Sequence, residues 1–335
     1  MILITGATGL LGSHLLIELT QFHSKIRASY RNKLKIVQVE KLFQFYFKSQ
    51  SNEFFAKIEW VKCDLLNLSQ LEELFYGVEF VYHCSGKVSF YKSDFNACFR
   101  NNRDVTANIV NFCLNSNVKK LCYVSSTAAI GTNPCGLTSE SDKWENGKTI
   151  SGYSVSKFSA EKEVWRGIEE GLNAVIINPC VILGPGDWNE SSLTIFKTAE
   201  KGISFYPSGR NAIVDARDVA KSMRLLMESS ILSERFLCTG VNITFRHLFS
   251  NLCLKFGKKA PSISVSRRLT LLVAFISETI SRVTGRKSGI SIETAYSAYK
   301  LIEYDNSKLK NAIEIEYHTL EETIDNAIAF KHFDS

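Results

Sequence analysis

Proline is scarce in this chain, with five among 335 residues. Long Gly/Ser-rich linkers, low-complexity tracts and internal repeats are absent. A tethered string of modules is therefore excluded, and a length that fits about two domains implies a second region packed on the first. No long hydrophobic run is present either. The longest, Leu269 to Ile276 interrupted by Thr270, falls far short of a membrane span. No C-x-x-C pair occurs among the nine cysteines, and the six histidines show no metal-ligand spacing with them. A zinc site and a disulfide framework are both excluded on this pattern, and thiols inside apolar runs such as Val81-Tyr82-His83-Cys84 fit a reducing compartment. A charge excess is nearly lacking too: the net charge is +6, with basic clusters too short for a nucleic-acid footprint. A strand beginning at Ile2 leaves no room for a signal peptide. The expectation is a soluble cytoplasmic protein that binds no nucleic acid and has no membrane span.

What is present is a core, since 45% of the residues are hydrophobic, and a rhythm. Ile2-Leu3-Ile4 is a short apolar run, followed by Leu11, Leu15 and Leu19 at helical spacing. Strands are predicted at Ile26–Tyr30, Ile58–Cys63, Val78–Cys84, Leu121–Ser125 and Ala174–Ile177, the last stopped by Asn178-Pro179. Between them the pattern predicts helices at Leu34–Phe47 and Leu68–Phe75, one around Val105–Cys113, and one that bears Lys157 and runs to about Glu170. Such alternation means an α/β fold: a doubly wound parallel sheet of Rossmann type with helices on both faces. After Gly184-Pro185-Gly186 the alternation weakens. We expect a nucleotide-binding domain over 1–184 and a smaller, mainly helical substrate-binding lobe over 185–335. One strand, about 234–238, is expected to return to the sheet, and helices at Phe245–Phe256 and Ser266–Val283 to fill the lobe. Leu269 to Ile276 either lines a greasy pocket or belongs to a packed helix.

Two motifs carry chemistry. In Thr5-Gly6-Ala7-Thr8-Gly9-Leu10-Leu11-Gly12, Gly6 permits the tight turn, Gly9 lets backbone approach a pyrophosphate, and Gly12 allows close helix packing. The N–H groups at the helix start, around Thr8, Gly9, Leu10 and Leu11, face the phosphates. The second motif, Tyr153-Ser154-Val155-Ser156-Lys157, puts a phenol and an ammonium one helical turn apart. A phenol titrates near 10 and is a poor acid/base unless a nearby cation lowers it, which is the role expected of Lys157. Between the two motifs, Ser125-Ser126-Thr127 supplies hydroxyls at a strand end. The end of the second strand chooses the dinucleotide: an acid there grips the ribose hydroxyl of NAD, and Arg accommodates the extra phosphate of NADP. Ser29-Tyr30-Arg31-Asn32-Lys33 holds no acid, so NADP(H) is expected with Arg31 on its phosphate, NAD(H) being the alternative.

The spacing TGxxGxxG together with YxxxK resembles the extended short-chain dehydrogenase/reductase family, the NAD-dependent epimerase/dehydratase group, from Met1 to about Ala220. Ile26-Arg27-Ala28-Ser29-Tyr30-Arg31 is similar to its dihydroflavonol-4-reductase-like branch. The resemblance implies an NAD(P)-dependent oxidoreductase acting on CH–OH groups, with Tyr153 as general acid/base. It implies that Lys157 also holds the nicotinamide ribose and that Thr127 takes the catalytic hydroxyl position, with Ser126 as runner-up. Asn102 would support the active-site network, or else start a helix. Asp64 and Leu65 would border the adenine, though Asp64 fits a helix cap equally. Ser85, Gly86 and Lys87 would approach the ribose and pyrophosphate, and Pro179 and Val181 would line the nicotinamide. Cys180 reads as packing, and Asp218 as structural. The resemblance also implies a homodimer built through a helix pair and a small-molecule carbonyl or alcohol substrate. Two other classes compete. A nucleotide-sugar epimerase or dehydratase would retain NAD, but the second strand lacks its acid, and Ala128-Ala129 stand where a dehydratase has Asp-Glu. A non-catalytic NADP-binding regulator usually loses the Tyr or the Lys, and both are here. A 3-beta-hydroxysteroid-dehydrogenase-like enzyme remains within the first class.

Overall fold

The computed structural model describes residues 1–147, 150–284 and 290–334, the side chains of 282 and 283 excepted. Its strands are β1 (Ile2–Thr5), β2 (Ile26–Tyr30), β3 (Ile58–Lys62), β4 (Phe80–His83), β5 (Lys120–Val124), β6 (Ala174–Pro179), β7 (Val181–Leu183), β8 (Phe205–Tyr206), β9 (Arg210–Asp215), β10 (Glu234–Cys238), β11 (Val241–Thr244) and β12 (Ile263–Ser264). Seven of them form one sheet in the order β10-β6-β5-β4-β1-β2-β3, every pair parallel. The fold is the doubly wound parallel sheet read from the sequence.

Strand side chains alternate between faces. Leu3, Val81, Leu121, Tyr123 and Ile176 pack on one side with Ile109, Val110 and Val164 from the helices Val105–Leu114 and Gly152–Glu169. Their neighbours Ile4, Tyr82, Cys122, Val175 and Ile177 pack on the other side with Leu15 and Leu19 of the helix Leu10–Leu19 and Phe43 of Leu34–Phe47. Both sheet faces are dry, so the inner strands are near-continuously apolar. Strand order reverses between β1 and β4, which places a crevice outside their carboxyl ends.

The structure departs from the sequence reading in several places. β6 does not stop before Asn178-Pro179: those residues pair with Leu237 and Cys238 of β10. A proline at a strand end loses little, because the one donor it lacks falls where the ladder finishes. The helix Ala216–Glu228 escaped the sequence reading. It packs Val219, Ala220 and Met223 into the same core as the Leu10–Leu19 helix. Beyond β6 lies a second sheet, β11-β9-β7, and a two-stranded one, β12-β8. Leu183, Phe196, Ile213, Ile243, Leu248 and Ile324 build a separate core there. Leu269 to Ile276 is not packed all round. It lies on the helix Arg267–Thr284 with Leu269, Leu272, Val273, Phe275 and Ile276 exposed. All nine cysteines are free, and Cys135 is exposed.

Candidate active site

The Gly-rich turn leaves β1 with Gly6 at φ +70°, a conformation that favours glycine. A Cβ at Gly6 would lie 2.6 Å from the backbone nitrogen of Ser85, so the turn is seated directly on the chain leaving β4. At Gly12 a Cβ would lie 2.2 Å from the Gly6 carbonyl oxygen and 2.8 Å from Ala7 Cα, which makes this glycine a condition of helix-to-turn packing. Gly9 differs. It is exposed, and a Cβ there would meet only the Gly6 oxygen, at 3.4 Å. Gly9 is the N-cap of the Leu10–Leu19 helix and no side chain caps it. The first N–H groups of that helix have no intrahelical acceptor and carry partial positive charge. An open glycine backed by uncapped donors fits a dinucleotide pyrophosphate.

Ser85, Gly86 and Lys87 follow β4 and are positioned by Asn102. This side chain is 1% exposed. Its Oδ1 accepts from the Lys87 backbone N–H at 2.7 Å, and its Nδ2 donates to the Lys87 carbonyl at 3.0 Å and to Ser156 Oγ at 2.8 Å. Asn102 does not start a helix. It sits in a π turn, Arg100–Asp104, between the helices Phe95–Phe99 and Val105–Leu114. Such turns interrupt helices frequently at functional sites. From the same turn, Asn101 Oδ1 accepts from the exposed Arg31 guanidinium at 3.0 Å, fixing that cation just past β2. Asp64 is not the helix cap; Asn67 is, accepting from Gln70 N–H at 3.2 Å. The Asp64 carboxylate closes a local turn onto the Leu66 N–H, and Leu65 is buried beneath it.

Tyr153 and Lys157 stand on the helix Gly152–Glu169, whose N-cap is Ser151. Tyr153 keeps part of its surface open and meets Phe90 edge-on, with ring centroids 5.6 Å apart. The expected lowering of its phenol is not found. Lost hydration pushes the phenol up, opposed by a hydrogen bond with Ser126. The reason lies in Lys157, whose buried ammonium donates to Tyr123 Oη at 3.0 Å and to the Val124 carbonyl at 2.7 Å. Burial brings that ammonium down to about 8, with Glu161 pulling the other way. Of the two adjacent hydroxyls, Ser126 lies near the Tyr153 phenol and Thr127 near the buried Tyr304. Pro179 is buried at the end of β6, and Val181 is half-buried at the start of β7. Burial pushes the Cys180 thiol well up, away from a thiolate. Asp218 is buried and accepts from the His318 backbone N–H and ring, tying in the C-terminal segment.

Glu161 was missed in the sequence. It is 2% exposed and lies one turn beyond Lys157. Its carboxylate accepts from Ser125 Oγ at 2.6 Å, Asn178 Nδ2 at 2.7 Å and the Arg235 guanidinium at 2.9 Å. One buried acid thus joins β5, β6 and β10 to the Tyr153 helix. Its only sequence signal is the i, i+4, i+8 series Tyr153, Lys157, Glu161.

His83 closes the floor. The Thr106 hydroxyl donates to the Asn102 carbonyl, so His83 Nε2–H donates to Thr106 Oγ1 at 3.1 Å, and Nδ1 accepts from Thr5 Oγ1 at 2.6 Å. Burial, with the Lys157 charge adding to it, lowers the imidazole from 6.5 to about 3. The unfolded chain therefore takes up a proton that the folded one refuses. The stability from this group is complete above about pH 6.5 and is lost toward pH 3, at about 1.4 kcal/mol per pH unit. Urea midpoints measured from pH 7 to 4 should fall, and less steeply in His83→Gln. An equal slope in both proteins would contradict the assignment.

Residues 2–236 match the model of the NAD dependent epimerase/dehydratase family. A putative dihydroflavonol 4-reductase of Synechocystis is 24% identical over 97% of this chain and 92% of its own length. Sterol demethylase protein B of Methylococcus capsulatus is 27% identical over 84% of this chain and 82% of its own. Among solved structures, Gre2 of Candida albicans in complex with NADPH superposes with a TM-score of 0.75 at 20% identity, covering 100% of this chain and 99% of the other.

Proposed function

The chain belongs to the NAD dependent epimerase/dehydratase family, and we propose that within it the protein is an NADP(H)-dependent oxidoreductase that reduces a ketone or aldehyde, or oxidises the corresponding alcohol. The observation that carries this reading is the Tyr153 phenol, beside Ser126 and one turn before the buried Lys157. Bound nicotinamide supplies or receives a hydride. Tyr153 then gives the substrate oxygen a proton in reduction and takes it back in oxidation. Ser126 orients the phenol. Lys157, held by Tyr123 and Val124, is placed to support the ribose and to restore charge balance near the phenol. The Gly6–Gly12 turn holds the pyrophosphate, and Arg31 meets the NADP phosphate. Asp64 and Leu65 edge the adenine, and Pro179 and Val181 edge the nicotinamide.

The test is titration of nucleotide-free protein with NADPH and NADH. NADPH should bind more tightly, and Arg31→Ala should cost it about ten- to a hundredfold while leaving NADH within about twofold, the scale of hydrogen bonds between charged groups. A preference for NADH, or unchanged NADPH affinity in Arg31→Ala, would remove Arg31 from the cofactor site. Stoichiometric NAD released from freshly purified protein on denaturation would move the function to nucleotide-sugar epimerisation or dehydration.

A further inference from the structure

The helix Arg267–Thr284 turns its more apolar side away from the protein. Leu269, Leu272, Val273, Ile276 and Ile280 each leave 48–56% of their surface open. Their spacing of 0, 3, 4, 7 and 11 residues sets them on one face, and at about 1.5 Å per residue the helix is about 27 Å long. Its inner side is polar by comparison. Ala274 is buried, the Glu278 carboxylate accepts from the Ile292 N–H at 2.8 Å, and the Thr270 hydroxyl meets Tyr299. Scattered exposed leucines are ordinary, but a continuous outward stripe marks an interaction face.

The charge beside it identifies the occupant. Seven of the forty basic residues lie between 258 and 287, against one of the thirty-four acids, Glu278. This stretch of thirty residues therefore carries the whole net charge of +6, and the other 305 residues balance. Glu278 is buried, so the helix shows no acid to solvent, while Lys258, Lys259, Arg267 and Arg268 are exposed. A second copy of the chain does not suit such a face. Parallel pairing would bring Arg267 and Arg268 against the same pair of the second copy, and antiparallel pairing would set them against a helix whose one carboxylate, Glu278, is buried. An anionic bilayer satisfies both properties: the apolar stripe enters the acyl boundary and the cations meet lipid phosphates.

We infer that the Arg267–Thr284 helix docks the protein in-plane on anionic membrane surfaces without crossing them. Among the described residues no helix is long and apolar enough to span a bilayer. Through the segment that follows, the docked helix is tied to the active site, because Glu293 accepts from the Gly152 N–H immediately before Tyr153.

Co-sedimentation of the full chain with vesicles tests this, using phosphatidylcholine alone and phosphatidylcholine containing one-third phosphatidylglycerol. The protein should pellet with the anionic vesicles and not with the neutral ones. Arg267→Gln with Arg268→Gln should weaken partitioning by about thirtyfold, and Leu272→Gln with Ile276→Gln by at least about tenfold. Thermal unfolding should be unchanged in the Leu272/Ile276 variant, whose side chains are exposed, and lowered only slightly in the arginine variant, where Arg267 gives up its place over the Tyr296 ring at 5.1 Å. Equal recovery of wild type and variants, or no recovery with anionic vesicles, overturns the inference. So does a wild-type dimer that the Leu272/Ile276 variant makes monomeric without any vesicle binding, which gives the face to a second copy. No readout involves nucleotide or turnover, so failure here leaves the redox function standing.

Discussion

Replacing Tyr153 by phenylalanine is expected to lower turnover about a thousandfold while leaving NADPH affinity within about twofold, the signature of a lost proton donor in an intact site. The phenol is the one acidic proton the proposed chemistry uses, and its ring is already fixed by Phe90 through contacts that phenylalanine keeps. Because lost hydration raises the phenol, it stays protonated through neutrality and above. Carbonyl reduction, which needs the protonated form, should be nearly flat around pH 7. Alcohol oxidation, which needs the phenolate, should climb with pH. The same assay separates the two hydroxyls: Ser126→Ala should cost far more turnover than Thr127→Ala, because Ser126 is the one beside the Tyr153 phenol and Thr127 lies near Tyr304. Full activity in Tyr153→Phe would end the enzyme mechanism proposed and favour a regulator that only binds nucleotide. The reverse order for Ser126 and Thr127 would show that substrate binding redirects Thr127.

Gly12→Ala should unfold or severely destabilise the protein, by more than about 3 kcal/mol, because the added carbon would lie 2.2 Å from the Gly6 oxygen and no flexible side chain is there to yield. That oxygen is not free to move, since it accepts from the Gly9 N–H at 3.0 Å and belongs to the turn seated on Ser85. Gly9→Ala is the informative contrast. Its φ of −85° suits any residue, and its methyl would meet ordinary space, so the melting temperature should hold. The methyl would nevertheless occupy the proposed approach of the pyrophosphate, and nucleotide affinity should drop at least about tenfold. Thermal unfolding and NADPH titration of the two variants check this. A stable Gly12→Ala, or a Gly9→Ala that binds normally, would show that the turn works differently.

Much of the parallel sheet was legible because its strands are apolar runs of four to six residues separated by amphipathic helices. Beyond β6 the picture is mixed: β10 and the helices Phe245–Lys255 and Arg267–Thr284 were legible, whereas β7, β8, β9, β11 and β12 were not. β8 and β12 are two residues each and β7 is three, too short for any period to register. Their pairing is set by partners distant in sequence, as where β11 meets β9. At the site, residue types and order were readable but directions were not. Ser126 and Thr127 are adjacent hydroxyls that lie near different tyrosines, and the turn after β5 sets which. The π turn holding Asn102 leaves no compositional trace. The position of the Lys157 ammonium depends on Tyr123, a residue that reads as plain strand.

The edge position of β10 also bears on how the chain is made. β6, with Ala174 to Ile177 wholly buried, has its outer row of peptide groups covered only by β10, and Glu161 receives its arginine from that strand. On a ribosome adding roughly 5–20 residues per second, β10 emerges after about 55 further residues, so that edge waits on the order of several seconds. During that interval the nascent chain offers an open apolar strand beside an uncompensated carboxylate, the kind of surface that invites wrong pairing. Release of a chain stopped at residue 184 would make the interval permanent, and such a fragment belongs in inclusion bodies rather than in solution.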